Sequence, residues 1–277
     1  MTSPPTDTVA EDDALVLRED REHVAWLTLN RPKKLNALSE AMISALSAEL
    51  DALSDDTSVR VVVISGAGKA FSAGHDLKEM MSKPDQGPCE VLFNACAAMM
   101  LKIHNLPQPV IAHVDGVATA AGCQLVAQCD LAIASERSKF ATSGINLGLF
   151  CATPSVPLSR AIGRKAAAEM LYTGKFITAG EAERLGLLNR AVGAEVLDAE
   201  VENLALEIAS KSPSAIEFGK RLFLNQIDRP LDEAYAIAAK TMAANMQHAD
   251  ARNGVGAFID KQPAPTWANR TGKDRKA

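Results

Sequence analysis

Nowhere along its 277 residues does the chain gather lysine and arginine into a basic tract, and its formal net charge is −5. Nucleic acid is bound through clustered cations, so it is excluded as the main partner; a small anion needing two or three local cations is not. No apolar run approaches the roughly 20 residues of a membrane-spanning helix, so no membrane partner is expected. The five cysteines (Cys89, Cys96, Cys123, Cys129 and Cys151) include no CxxC pair and no histidine at zinc spacing. Reduced, buried thiols and no metal are therefore expected. Residues 1–13 are rich in Pro, Thr and Asp, without the basic and apolar regions of a signal peptide or the arginines of a transit peptide. They read as a short disordered lead, and the protein as cytoplasmic.

What is present is ordinary for a globular protein: 47% apolar and 23% charged residues, in a chain long enough for a substantial core. Residues 14–17 and 23–29 read as strands joined by a polar turn at 18–22. Met42, Leu46, Leu50 and Leu53 recur at three- and four-residue spacing, which predicts an amphipathic helix with Ser39 as its N-cap. Residues 59–65 are a β-branched run that suits a strand buried on both faces of a parallel sheet. Residues 109–114 and 131–134 repeat that signal, and residues 89–104 read as helix between them. Past Pro154 the strand signals nearly vanish, and residues 157–171, 178–185, 195–210, 213–226 and 230–247 read as helices. The fold class is α/β with an α-helical C-terminal part. We expect residues 14–200 to form the α/β core and residues 201–277 a helical region completing the same domain.

Two segments follow buried strands and carry small residues where a ligand would meet backbone. They are residues 66–77 (GAGKAFSAGHDL) and 115–128 (DGVATAAGCQLVAQ). In the second, Ala118 to Gly122 would open a helix whose N-terminus offers unpaired N–H groups. One N–H from each segment could form an oxyanion hole for a polarised carbonyl; tight packing is the plainer use of such residues. Phe71 stands where a dinucleotide fingerprint needs its third glycine, and the Gly-Lys-Ser/Thr ending of a phosphate loop is missing. Residues 70–74 look like a degraded nucleophile elbow with Ala70 for its first glycine, so Ser72 is a weak candidate nucleophile.

These segments, with Asn30-Arg31-Pro32-Lys33-Lys34-Leu35-Asn36-Ala37-Leu38, Cys129-Asp130-Leu131-Ala132, Leu171-Tyr172-Thr173-Gly174 and Ala257-Phe258-Ile259-Asp260-Lys261-Gln262-Pro263, resemble the enoyl-CoA hydratase/isomerase (crotonase) superfamily. The likeness runs in order from about residue 14 to 267. Residues 71–77, 118–126 and 140–150 are most similar to the subgroup called enoyl-CoA hydratase domain-containing protein 3. The resemblance implies a spiral of ββα units (ClpP/crotonase-like) with a helical C-terminal trimerisation region, and a homotrimer or hexamer. It implies an acyl-CoA thioester as ligand in fatty-acid metabolism, with coenzyme A as part of the substrate and no covalently bound cofactor. It puts the oxyanion donors at the backbone N–H groups of His75 and Ala121. Ala121 fits only if it is helical, since alanine tolerates fewer backbone angles than glycine. It sets coenzyme A against Lys33, Leu35, Ala73, Asp76 and Leu77, with Lys261 of the C-terminal helix near the phosphates.

Hydration in this family uses two glutamates, whose positions fall on Gln124 and Gly144; an aspartate used by dienoyl-CoA isomerases falls on Asn146. None of the three is a carboxylate. Glutamine cannot take a proton near neutral pH, and each lost acid/base group costs roughly 10²- to 10⁴-fold in rate. Three readings remain open. One is an acyl-CoA enzyme: a weak hydratase, an isomerase, or a catalyst of thioester chemistry that needs no glutamate pair. The second is a non-catalytic acyl-CoA-binding or regulatory protein, and the third a trimeric scaffold. The side chain of His75 is a candidate replacement base. His113 and Asp130 read as structural, and Cys151 as an unactivated thiol near the pocket. Met80, Met81, Met99 and Met100 could line a flexible acyl pocket, or simply be core.

Overall fold

The structure, a computed structural model, describes residues 14–270. The expected lead at 1–13 and the last seven residues of the C-terminal region lie outside those.

The chain opens with an antiparallel hairpin, β1 (Val16–Arg21) and β2 (Val24–Leu29). β1 runs through residues expected to be turn; the turn is only Glu22 and His23, with φ of 50° and 67°. Both angles positive is the tight two-residue geometry that matches strand twist. Helix α1 (Glu40–Asp55) follows, with the Ser39 hydroxyl accepting from the Met42 N–H, as expected.

Then a pattern repeats. A long strand is followed by a three-residue strand and a helix, as β3 (Val61–Gly66), β4 (Ala70–Ser72), α2 (Leu77–Met81) and α3 (Gln86–Asn105). It recurs as β5 (Val110–Val114), β6 (Val117–Thr119) and α4 (Ala121–Gln128). Next come β7 (Leu131–Ser135), β8 (Lys139–Ala141), a 3₁₀ turn (Ser143–Leu147) and α5 (Ala152–Ala161). After α6 (Arg164–Thr173) the chain adds β9 (Ile177–Thr178), α7 (Ala179–Leu185), β10 (Arg190–Val192) and α8 (Leu197–Ala209). It finishes with α9 (Pro213–Gln226), α10 (Leu231–Gln247) and α11 (Ala249–Ile259).

The long strands form a six-stranded sheet in the order β1-β2-β3-β5-β7-β10, parallel from β2 onward. The short ones form a second sheet, β4-β6-β8-β9, parallel except at β9. Successive ββα units thus climb a spiral. The β-branched run in β3 is explained by burial on both faces. Val62 and Ile64 enter the main core with Leu46, Leu50 and Met99, while Val61 and Val63 meet Val201 and Ala205 of α8.

The short strands went unseen in the sequence because three residues are too few to show a period. The expected helix at 157–171 is two helices, broken at Ile162 and Gly163. The C-terminal helices are tied to the base of the sheet by charge. Lys220 of α9 donates to Asp130 (2.6 Å), Gln108 O (3.0 Å) and Ile103 O (3.2 Å). Asp130 also accepts from Val110 N–H at 2.7 Å, which makes it structural, as expected. Burial holds the Lys220 ammonium below its usual pKa, against the pull of Asp130.

Candidate active site

The first wall begins in the loop before α1. A 3₁₀ turn at Pro32–Lys34 leads into Leu35 and Asn36, whose φ values are 52° and 51°. Asn36 is fully buried. Its Oδ1 accepts from Arg31 N–H at 2.9 Å, and its Nδ2 donates to Ala67 O at 2.9 Å and Ala70 O at 2.8 Å. Asparagine tolerates this left-handed angle better than most residues and here joins the loop to the first small-residue segment. Three further bonds close the seam: Ser72 Oγ to Asn36 O (2.9 Å), Ala73 N to Leu35 O (2.9 Å) and Leu38 N to Gly74 O (2.8 Å). Sequence reasoning missed Asn36. Ser72 is also accounted for, since its hydroxyl serves the seam.

Gly74 has φ of 87°, and a β-carbon there would lie 2.9 Å from the Ala120 β-carbon and 3.0 Å from the Ala121 nitrogen. Only glycine fits, and its bareness brings the two segments together. The Leu38–His75 bridge leaves the His75 N–H with no partner among the described residues. The His75 ring Nδ1 lies 3.2 Å from Leu38 O and so carries the hydrogen, leaving Nε2 a buried acceptor without a partner. The ring meets Phe93 edge-on, centroids 5.4 Å apart. Burial holds its pKa below the usual histidine value, the Leu38 bond opposing.

The second wall is β6, Ala120 and α4. The helix opens at Ala121, later than expected, because Val117–Thr119 pair with β4 and β8. Ala120 is held at φ 50°, ψ −118°, and its N–H donates to Ala141 O at 2.9 Å. That conformation is strained for alanine. It sets Ala121 as the first helical residue, as an oxyanion donor at that position requires, and the Ala121 N–H has no partner among the described residues. A β-carbon at Gly122 would stand 2.2 Å from Ser72 O, so α4 rests directly on the β4 backbone.

The three positions where the resemblance implies acid/base groups differ in kind. Gln124 is 3% exposed; its Oε1 is buried without a partner, and its Nε2 donates to no described residue. Gly144 is sterically closed. A β-carbon there would lie 2.6 Å from Leu149 O and 2.9 Å from Cys151 Sγ. Asn146 is committed elsewhere, its Nδ2 donating to Gly174 O at 3.2 Å. Burial pushes the Cys151 thiol up in pKa, with the Gly144 N–H opposing, and pushes Cys123 up to about 12. Neither is an activated nucleophile.

Of the residues expected around coenzyme A, the fold gathers five on one seam. Leu35 O meets Ala73 N, Asp76 caps α2 and faces Arg31 at 3.4 Å, and Lys33 and the half-exposed Leu77 flank them. Lys261 lies just past the end of α11, not in it, with φ of 55°. Met99 and Met100 are core and Met81 is exposed. The His113 Nε2 lies 3.0 Å from the Asp198 carboxylate, between β5 and the first turn of α8. Two cavities, of about 550 and 350 Å³, lie elsewhere, one under α9 beside Lys220 and one between α6 and α7. Neither touches His75 or Ala121, and neither bears on the chemistry.

The family model described as enoyl-CoA hydratase/isomerase matches residues 19–270. Enoyl-CoA hydratase domain-containing protein 3, mitochondrial, of Rattus norvegicus is 43% identical over 255 residues, covering 92% of this chain and 85% of that protein. The human crystal structure of that protein is 42% identical with a TM-score of 0.87, over 91% of this chain and 99% of the other. A crystal structure of an enoyl-CoA hydratase from Mycobacterium smegmatis is 52% identical with a TM-score of 0.89, over 91% and 98%. The expected cytoplasmic location is contradicted, because the rat, frog and human relatives are named as mitochondrial proteins. That expectation rested on the composition of residues 1–13, which carries no information about a folded core that is shared across compartments.

Proposed function

This chain belongs to the enoyl-CoA hydratase/isomerase family, and from that premise we propose that it binds an acyl-CoA thioester and polarises its carbonyl between the N–H groups of His75 and Ala121. The observation that carries the reading is the junction at Gly74, where two partnerless N–H groups lie on segments in contact. Each such donor is worth roughly 10²- to 10³-fold in rate when charge develops on the oxygen. Coenzyme A would run along Lys33, Leu35, Ala73, Asp76 and Leu77. A homotrimer or hexamer is supported by the apolar side chains that α10 and α11 leave exposed, among them Leu231, Tyr235, Met242 and Phe258. In such an assembly Lys261 would serve the phosphates of a neighbouring copy.

Efficient hydration is not part of the proposal. Gln124 cannot exchange a proton near neutral pH, and the Gly144 position has no room for a carboxylate. These two facts also favour the second reading, a non-catalytic acyl-CoA-binding or regulatory protein in fatty-acid metabolism. The direct test is the infrared band of a ¹³C-labelled thioester carbonyl in butyryl-CoA bound to the protein. Polarisation moves that band to lower frequency than in water. Calorimetric binding with an unshifted band would leave a binder without an oxyanion hole, and no binding at all would sink both readings.

A further inference from the structure

A backbone donor is useful only in one direction. The His75 N–H belongs to the peptide unit that also carries the Gly74 carbonyl, and in a planar trans unit the two point opposite ways. Gly74 O accepts from the Leu38 N–H at 2.8 Å, so the His75 N–H is turned away from Leu38 N. That bond anchors the peptide plane after the Gly74 α carbon. The plane before it carries the Gly74 N–H, and glycine itself imposes no fixed angle between the two. At φ 87° a group outside the residue has to hold the first plane.

Ser72 is that group. It is fully buried, and its Oγ donates to Asn36 O at 2.9 Å and accepts from the Gly74 N–H at 3.3 Å. Both directions are unambiguous, because a carbonyl only accepts and an amide N–H only donates. Asn36 is anchored in turn through its side chain to Arg31 N–H, Ala67 O and Ala70 O. One hydroxyl therefore ties the loop before α1 to the plane before Gly74, while Leu38 holds the plane after it.

Resting on the acyl-CoA reading above, we propose that Ser72 is a positioning residue for the His75 donor. Its hydroxyl, held by Asn36 O, sets the backbone at Gly74 so that the His75 N–H faces the thioester oxygen. Ser72 acts only through Gly74, since its hydrogen is committed to Asn36 O. The role matters because a donor stabilises developing charge only when it is already aimed at the oxygen.

The fold supplies a matched control. Ser138 is also buried, and its Oγ donates to Val114 O at 3.1 Å and accepts from the Gly116 N–H at 3.0 Å. Gly116 too has positive φ, at 93°. It stands just before β6, whose far end leads to Ala120 and Ala121. The two serines brace backbone in the same way, but only Ser72 braces the residue before a proposed donor.

The experiment compares wild type, Ser72→Ala and Ser138→Ala by the infrared band of ¹³C-labelled butyryl-CoA, by butyryl-CoA affinity and by chemical denaturation. Both variants are expected to lower the denaturation midpoint. Only Ser72→Ala is expected to return the band most of the way to its frequency in water. Its affinity should fall by about 2- to 10-fold, the size of one net hydrogen bond, while Ser138→Ala keeps the wild-type band. Ser72→Cys, whose sulfur is a weak acceptor, should fall between, and it is the deciding variant should Ser72→Ala not fold. A full wild-type shift in either Ser72 variant, or an equal loss of shift in Ser138→Ala, overturns the inference and leaves the polarised carbonyl standing. A band unshifted in the wild type removes the oxyanion hole and this inference with it.

Discussion

Two adjoining parts of the site are built on opposite principles, although Thr119 and Ser143 join them through a 2.8 Å hydroxyl contact. Where residues 66–77 meet 117–124, the proposed function rests on backbone. Glycines at 74 and 122 let two segments touch, Asn36 ties the first of them to the loop before α1, and the chemical groups are N–H donors that any residue carries. In residues 142–151 the groups that the family resemblance implies would be side chains, and the space at 144 is filled. Leu149 O and Cys151 Sγ occupy what a side chain at 144 would need. The backbone donors on which the proposed function relies are therefore kept in a chain whose positions 124 and 144 carry no carboxylate.

The largest effects are expected at the backbone wall. Gly122→Val would drive a β-branched side chain into Ser72 O and is expected to destabilise by about 3 kcal/mol or more, read by chemical denaturation. An unchanged midpoint would mean that α4 does not rest on β4. Asn36→Ala leaves Ala67 O, Ala70 O and Arg31 N–H without their partner. A loss of about 2–3 kcal/mol is expected, with weaker butyryl-CoA binding because the seam slackens. At the other wall, Gly144→Glu combined with Gln124→Glu supplies both carboxylates but forces the first against Leu149 O, a strain of about 1–3 kcal/mol. Crotonyl-CoA hydration by this pair is expected to stay far below ordinary enzyme rates. Efficient turnover would show that the 142–151 wall is open after all.

Smaller effects are expected at Ala120 and His75. Ala120→Gly relieves a strained backbone angle and is expected to raise stability by about 1 kcal/mol, measured by thermal unfolding. A fall instead would mean that the alanine methyl packs usefully. The last concerns pH. Burial lowers the His75 pKa in the folded state, so the unfolded chain takes up a proton first. Stability is full above the ordinary histidine pKa of about 6.5 and falls as pH drops below it. His113 is lowered in the same direction, with Asp198 and Asp115 opposing. His75→Leu should flatten part of the acid slope, and an unaltered slope would contradict the burial argument.

Much of this was legible in the sequence, and the reasons for the rest are physical. The spacing of Met42, Leu46, Leu50 and Leu53 announced α1, and the runs in β3, β5 and β7 announced a parallel sheet, because burial dictates those patterns. The second sheet was hidden, since Ala70–Ser72 or Lys139–Ala141 carries no period of its own. The helical start of Ala121 was foreseen only as a condition, and the strained Ala120 before it had no signal at all. Asn36 could have been suspected only from its tolerance of left-handed angles. The vacancy at Gly144 was legible as a missing carboxylate. That the space is closed depends on a contact with Leu149 O that no one-dimensional pattern records.

In the proposed function the His75 and Ala121 N–H groups polarise the carbonyl, and Gln124 and Gly144 carry no carboxylate to move a proton. Crotonyl-CoA tests both at once, with affinity measured by calorimetry and hydration followed by loss of the conjugated thioester absorbance. Clear binding with no hydration above the protein-free rate is the result expected here. Turnover at roughly 1–10³ s⁻¹, the range of ordinary enzymes, would contradict it and require a base other than residues 124 and 144, with the His75 side chain the first to replace.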